Sequence, residues 1–283
     1  MVWLISNGKL VEAGDARLST DNRAFAYADG VFETIRLMYG QPLWLGWHFD
    51  RLSHGLRALG IQNPWHLTTF EKELLSLIEA NKLRQGGRLK VQVWRSAGGF
   101  YTPESSKADW LMQVQPLPHN AFQLNYKGLQ VGDASRPKQT LFIPDIKTNN
   151  ALQYVLAAAE AKAAGLDDVF LYHAEGALLE SSNSNVFILR DGILRTPALD
   201  GGCLPGIMRS VMLHLLPNMG YTVKEQLLSH ADLQAADEVY LTNAIHGVRW
   251  VGGWKHKRYF RKQAVALNEA LNQLALNSIT AGY

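Results

Sequence analysis

The sequence predicts an α+β fold in two parts, and three observations carry that reading. Short strand-like runs are joined by turn dipeptides in both halves. Helical periodicity comes in separated blocks and does not follow every strand. A turn-rich stretch, PLPHNAF at 116–122, divides the pattern. The division expected is a smaller N-terminal α+β domain over 1–117 and a larger C-terminal α+β domain over 123–283. A doubly wound parallel sheet would need a helix between successive strands, whereas hairpin turns such as AEG and RDG join several of them here.

Residues 3–6 read as a strand, Asn7-Gly8 as a hairpin turn and residues 9–12 as the return. Residues 29–39 form the next strand, with Gly40-Gln41-Pro42 as its turn. Phe49, Leu52, Leu56 and Leu59 recur at helical spacing within 47–59, and Gly60 stops that helix. Residues 67–83 repeat the pattern with Phe70, Leu74, Leu77 and Ile78. Residues 88–95 alternate as a strand, with 109–115 as its partner.

Beyond the divide, strands are expected near 129–133 and 140–143. An alanine-rich helix over 150–164 ends at Gly165. VFLYH, ALLES, NVFIL and ILRT follow as strands. A helix over 206–216 is ended by Pro217, residues 238–242 form a buried strand, and 262–276 form a C-terminal helix. The basic run WKHKRYFRK at 254–262 reads as a solvated lead-in to that helix.

Composition narrows the function. With 47% hydrophobic and 19% charged residues, the 283-residue chain can bury a core without staples. A net charge of +3 does not indicate a nucleic-acid partner but suits small anionic ligands. The single Cys203 excludes an internal disulfide and fits a reducing compartment. The start, MVWLISNGKLVEAG, lacks the features of a signal peptide, and no apolar run approaches the roughly 20 residues of a membrane helix. A cytoplasmic protein without a membrane partner is expected. His230, His246 and His256 lack ligand spacing, so no metal is expected. P-loop, dinucleotide and nucleophile-elbow motifs are absent.

Four segments carry candidate chemistry. Lys147, in PDIKTNN, stands between a strand ending near Ile143 and a helix starting near Asn150. A lysine at such a junction can point into a cleft, where desolvation frees its amine to attack a carbonyl. Loop lysines are ordinarily solvated, so this position gains meaning from its neighbours. Glu180 follows an apolar pair in LLESSNSNVF, where a carboxylate is either surface or specially paired. CLPGIMRS at 203–210 feeds a helix whose first amides, at Ile207 and Met208, suit a phosphate, with Arg209 adding charge or facing solvent. A strand ends in Thr242-Asn243-Ala244, where a hydroxyl and backbone amides suit the other side of a phosphate.

These segments occur in one order that resembles the class IV pyridoxal-5′-phosphate (PLP) enzymes: branched-chain aminotransferases, D-amino-acid aminotransferases and aminodeoxychorismate lyases. The resemblance runs through SNG at 6–8, DNRAFAYADGVFETIRL at 21–37 and LGWHFDRL at 45–52. It continues through IKTNNALQYVLA at 146–157, LLESSNSNVFIL at 179–189, CLPGIMRS and ADEVYLTNAIHGV at 236–248. It implies the two-domain α+β architecture of fold type IV, with PLP at the domain interface, and a homodimer acting on a small-molecule substrate. It makes Lys147 the Schiff-base lysine and proton carrier, and Glu180 the partner of the pyridine nitrogen. Arg51 becomes a phosphate ligand and Leu204 packs on the ring. Ile207 and Met208 offer amides to the phosphate, and Asn243 and Ala244 close its far side.

The subfamily follows from wording. D-amino-acid enzymes carry an Arg-x-His carboxylate trap where this chain reads SAGGFYTPES, with Phe100 and Tyr101. GVFETIRL, WHFDRL and LTNA look most like aminodeoxychorismate lyases. Phe100, however, stands where some lyases carry an arginine. The implied reaction converts 4-amino-4-deoxychorismate to 4-aminobenzoate and pyruvate, within folate biosynthesis, with Thr34 assisting the leaving group. Lys90, Arg95 or Arg249 would meet the substrate carboxylates. The alternative is an aminotransferase acting on D-amino acids or branched-chain L-amino acids.

Overall fold

The computed structural model describes residues 1–139, 143 and 145–280. The strand expected over 140–143 rests on residues outside the described ones. The chain divides into two compact units. The first holds Met1–Ala121 and Ile146–Asn150 with a short C-terminal piece; the second holds Phe122–Asp145 and Ala151–Asn277. The boundary at Ala121 falls within the turn-rich stretch. The segment around Lys147, however, belongs to the first unit and not to the C-terminal domain where the linear division puts it.

The first unit contains β1 (Trp3–Ser6), β2 (Lys9–Glu12), α1 (Arg23–Tyr27), β3 (Gly30–Met38) and β4 (Gln41–Pro42). It continues with α2 (Leu45–Ala58), α3 (Leu67–Ala80), β5 (Gly87–Arg95) and β6 (Ala108–Pro116). Its strands form one antiparallel sheet in the order β2-β1-β6-β5-β3-β4. The turn between β3 and β4 is Tyr39-Gly40, both at positive φ, so Gln41 and Pro42 belong to the return strand and not to the turn. Along β3, Val31, Glu33, Ile35 and Leu37 face one way, as strand alternation requires. α2 packs on this face and buries Leu52 and Leu56 completely; truncating either to Ala would cost about 2–5 kcal/mol. Gly55 permits the approach, since a Cβ there would lie 3.0 Å from Val31 Cγ1 and 3.1 Å from Ile146 Cγ2. Arg36 Nη2 donates to the carbonyls of His119, Asn120 and Ala121 and pins the end of the unit.

The second unit runs β7 (Leu129–Asp133), α4 (Leu152–Ala163), β8 (Asp168–Tyr172), β9 (Leu178–Ser181), β10 (Asn185–Arg190) and β11 (Ile193–Pro197). Then follow α5 (Ile207–Asn218), β12 (Thr222–Gln226), α6 (His230–Ala235), β13 (Glu238–Asn243), β14 (Gly247–Trp254), β15 (Lys257–Arg258) and α7 (Ala264–Thr280). The sheet order is β12-β11-β10-β13-β14-β7-β8-β9, with β15 on β14. Most pairs are antiparallel, but β11–β12, β14–β7 and β7–β8 are parallel. The fold is α+β with this mixed sheet.

Two expectations fail locally. Pro217 does not end α5: the helix runs to Asn218, and Gly220, at φ +82°, supplies the stop with its amide on Pro217 O. The run 254–262 begins as a hairpin, Trp254 pairing with Lys257 around Lys255 at positive φ, because the buried Trp254 indole donates to Asp133. Among the described residues no helix is long and apolar enough to cross a membrane.

Candidate active site

In the first unit, Lys147 lies on a short run that extends the free edge of β3. Phe32 N donates to Lys147 O at 3.0 Å and Asn149 N to Gly30 O at 2.9 Å, with a bridge between Val31 and Thr148. Gly30 makes this possible: a Cβ there would lie 2.2 Å from Val93 O and 2.6 Å from Asn149 Nδ2. Lys147 Nζ stands 4.3 Å from the Phe32 ring centroid. Thr34 shares the Phe32 face by alternation and pairs across the ladder with Lys90. Lys90 Nζ lies 5.7 Å from the same ring. Burial, and then the neighbouring Arg88, push the Lys90 ammonium below its ordinary range. Lys90 forms no ion pair among the described residues.

On the opposite face of β3, Glu33 is buried beneath α2. Arg51 forks it, Nε to Oε1 at 2.7 Å and Nη2 to Oε2 at 2.8 Å, and His48 Nδ1 meets Oε2 at 2.6 Å. His48 and Arg51 are three apart and therefore share one helix face. Burial is the largest single influence and would raise the Glu33 carboxyl, but Arg51 and His48 together outweigh it and hold it at about 2. Burial pushes His48 down, so its ring is neutral and Nδ1–H donates to the carboxylate. Arg51 thus anchors α2 to β3, a role beyond the phosphate contact expected from the sequence. Glu33 and His48 were not singled out. The available signal was a lone carboxylate on an otherwise apolar strand face, followed by two basic residues three apart on the next helix.

In the second unit Glu180 is buried on β9. Its Oε1 accepts from Lys138 Nζ at 2.5 Å and from the Tyr154 hydroxyl at 2.9 Å; its Oε2 accepts from Leu204 N at 3.1 Å. Lys138 also donates to Gly202 O at 2.6 Å and is itself buried. Burial, then the carboxylate, push the Tyr154 hydroxyl far above its usual range, so it remains a donor. Leu204 touches Glu180 through its backbone. Buried Asp168 fixes the turn after Glu180, accepting from Ser182 N and the Ser181 hydroxyl. Lys138, Tyr154 and Asp168 were not foreseen; a lysine among the turn formers of SRPKQT carries no periodic signal.

Ile207 and Met208 open α5 as expected, after Gly206 as N-cap without a side-chain cap bond. Gly206 is required, because a Cβ would sit 2.0 Å from Asn185 Oδ1. Arg209 is neither a site charge nor solvated: it is buried, donating to Pro197 O and paired with Glu225. Asn243 ends β13 and turns the chain, its Oδ1 accepting from Ile245 N and His246 N, with Ala244 inside that turn. Beside it the Thr242 hydroxyl is buried without a hydrogen-bond partner among the described residues. Of the carboxylate candidates, Arg95 is spent on Asp29 and the carbonyls of Leu59, Gly60 and Ser105. Arg249 donates to Asn183 Oδ1 and Ser184 Oγ.

Residues 30–254 match the family Amino-transferase class IV. A Methanocaldococcus jannaschii protein provisionally named a branched-chain-amino-acid aminotransferase is 32% identical over 238 residues, 83% of this chain and 82% of its own. The aminodeoxychorismate lyase of Bacillus subtilis is 29% identical over 243 residues, 84% of this chain and 82% of its own. The structure of a branched-chain aminotransferase from Thermoproteus uzoniensis with norvaline aligns with a TM-score of 0.90 at 23% identity, covering 98% of this chain and 95% of that one. At that identity the likeness speaks for the fold alone. The chain belongs to the class IV amino-transferase family, PLP-dependent enzymes of fold type IV.

Proposed function

We propose that the chain is a lyase that converts 4-amino-4-deoxychorismate to 4-aminobenzoate and pyruvate, a step of folate biosynthesis, with Lys147, Glu180 and Thr34 as its reacting groups. The donor set fits PLP. The first turn of α5 at Ile207 and Met208, without a side-chain cap, and the Thr242 hydroxyl, without a partner among the described residues, suit a phosphate. Glu180 accepts one donor on Oε2, and a carboxylate oxygen can take two. Asn243 and Ala244 would bound the phosphate side, and Leu204 would pack on the ring. Arg51 is assigned a phosphate contact besides its bond to Glu33.

Bound PLP supplies a ring that accepts the electron pair left when the carbon bearing nitrogen loses its proton. Lys147 would hold the cofactor through its amine and, once freed by the substrate amine, would take that proton at Nζ. Glu180 Oε2 would accept a hydrogen bond from the ring nitrogen and so keep it protonated. Thr34 donates its hydroxyl hydrogen bond to the departing enolpyruvyl oxygen.

The observation that carries the lyase over the aminotransferase is Lys90. It is a half-buried cation without a counter-ion among the described residues, opposite Thr34 and over the ring that also faces Lys147. Such a cation suits a substrate carboxylate set away from the reacting amine. Lys90→Met should therefore raise KM roughly ten- to a hundredfold, the worth of a charge-assisted contact, with a smaller change in kcat. The deciding assay measures 4-aminobenzoate and pyruvate release from aminodeoxychorismate beside keto-acid formation from an amino-acid panel. Robust keto acid from D-alanine or a branched-chain amino acid, with no 4-aminobenzoate, overturns the lyase. The homodimer is inferred as well, supported by the exposed aromatics Phe25, Phe100 and Tyr101. Sedimentation as a monomer at micromolar concentration would overturn it.

A further inference from the structure

Glu180 carries a buried cation of its own. Lys138 reaches Oε1 at 2.5 Å, donates to Gly202 O at 2.6 Å, and is 6% exposed. Its ammonium lies 5.5 Å from the Tyr154 ring, whose hydroxyl shares Oε1. Two donors on Oε1 and one on Oε2 leave the carboxylate room for one more, on Oε2.

We propose that Lys138 is the resident counter-ion of Glu180, a positioning residue that shares the carboxylate with the ring nitrogen and weakens its hold on that nitrogen's proton. The proposal rests on Glu180 as the ring-nitrogen partner. Two effects compete when Lys138 is removed. The carboxylate loses an orienting donor, which loosens its grip on any partner. It also loses its neutralising charge in a buried place, which makes it seek another cation. The second effect is the larger: Tyr154 and Leu204 still orient the group, whereas an uncompensated buried charge is among the costliest defects in a protein interior. Lys138 thereby moderates the electron sink, holding the nitrogen's proton less tightly than Glu180 alone would.

The test titrates the full-length apo-protein with PLP and with its carbocyclic analogue, whose ring has C–H in place of nitrogen. Wild type prefers PLP. Lys138→Met should widen that preference roughly tenfold or more, the scale of a charge-assisted hydrogen bond. Lys138→Arg keeps the charge and should leave the preference within about threefold of wild type, well inside the change expected on losing that bond. A narrowed or unchanged preference in the Met variant overturns the proposal, as does an equal loss of affinity for both ligands, the mark of a purely structural lysine. If the Met variant does not fold, Lys138→Gln carries the same expectation, because it retains a donor but no charge. Glu180→Gln is the control. If it leaves the preference unchanged, the assignment of Glu180 itself has failed, and the proposal falls with it.

Discussion

Glu33 and Glu180 are both buried carboxylates beside a cation, yet they are built differently. Glu33 takes its donors from His48 and Arg51, three residues apart on one helix. Glu180 takes its donors from Lys138, Tyr154 and Leu204, which lie 42, 26 and 24 residues away. The first arrangement ties one helix to one strand, and whatever loosens it loosens the unit. The second gathers separate segments around one oxygen pair, which suits the proposed role of Glu180 in holding a ligand. A buried ion pair is therefore no sign of chemistry by itself; the origin of its partners separates anchor from tool.

The largest effect should come from neither carboxylate. Lys147→Ala should abolish nearly all turnover and the visible absorption of the holoenzyme, while PLP still binds through its phosphate donors. A variant that stays yellow and active would remove Lys147 from the chemistry. Next, Glu180→Gln should lower turnover roughly 10²–10⁴-fold, as for other positioned acid–base groups, beside the stability lost by leaving buried Lys138 without its countercharge. A loss below about threefold would put Glu180 in the same class as Glu33.

Glu33→Gln should act on stability. Leaving Arg51 buried without its countercharge should cost about 3–5 kcal/mol of stability. The sign with pH follows from the depressed carboxyl. Its stabilisation is complete above its ordinary value of 4.5 and is lost as pH falls toward about 2. Urea midpoints should therefore drop between those values in wild type, with a flatter profile in Glu33→Gln. Identical profiles would mean that Glu33 anchors nothing.

Much of this was legible in the residues. Strands 3–6, 9–12, 29–39 and 88–95 and the helix of Leu52 and Leu56 follow from local periodicity, and the structure has each within a residue or two. Lys147 and Glu180 drew attention through the order of their blocks. Local pattern misled where a stronger non-local partner existed: Trp254 opens a hairpin because its indole reaches Asp133, 121 residues away.

By itself the sequence determined the family, the strands and helices that periodicity marks, the helix start at Ile207 and Met208, and the glycine turns, though it gave no sign of α1, β12, α6 or β14; what it did determine depends on residues close together in the chain. Only the tertiary structure decided that Ile146–Asn150 joins the first unit, that β7 lies parallel between β14 and β8, and that Lys138 stands against Glu180. These outcomes share a physical reason. Each is a hydrogen bond or charge pair between segments tens of residues apart, stable because burial removes water as the competing partner. No local propensity records which distant group will take water's place.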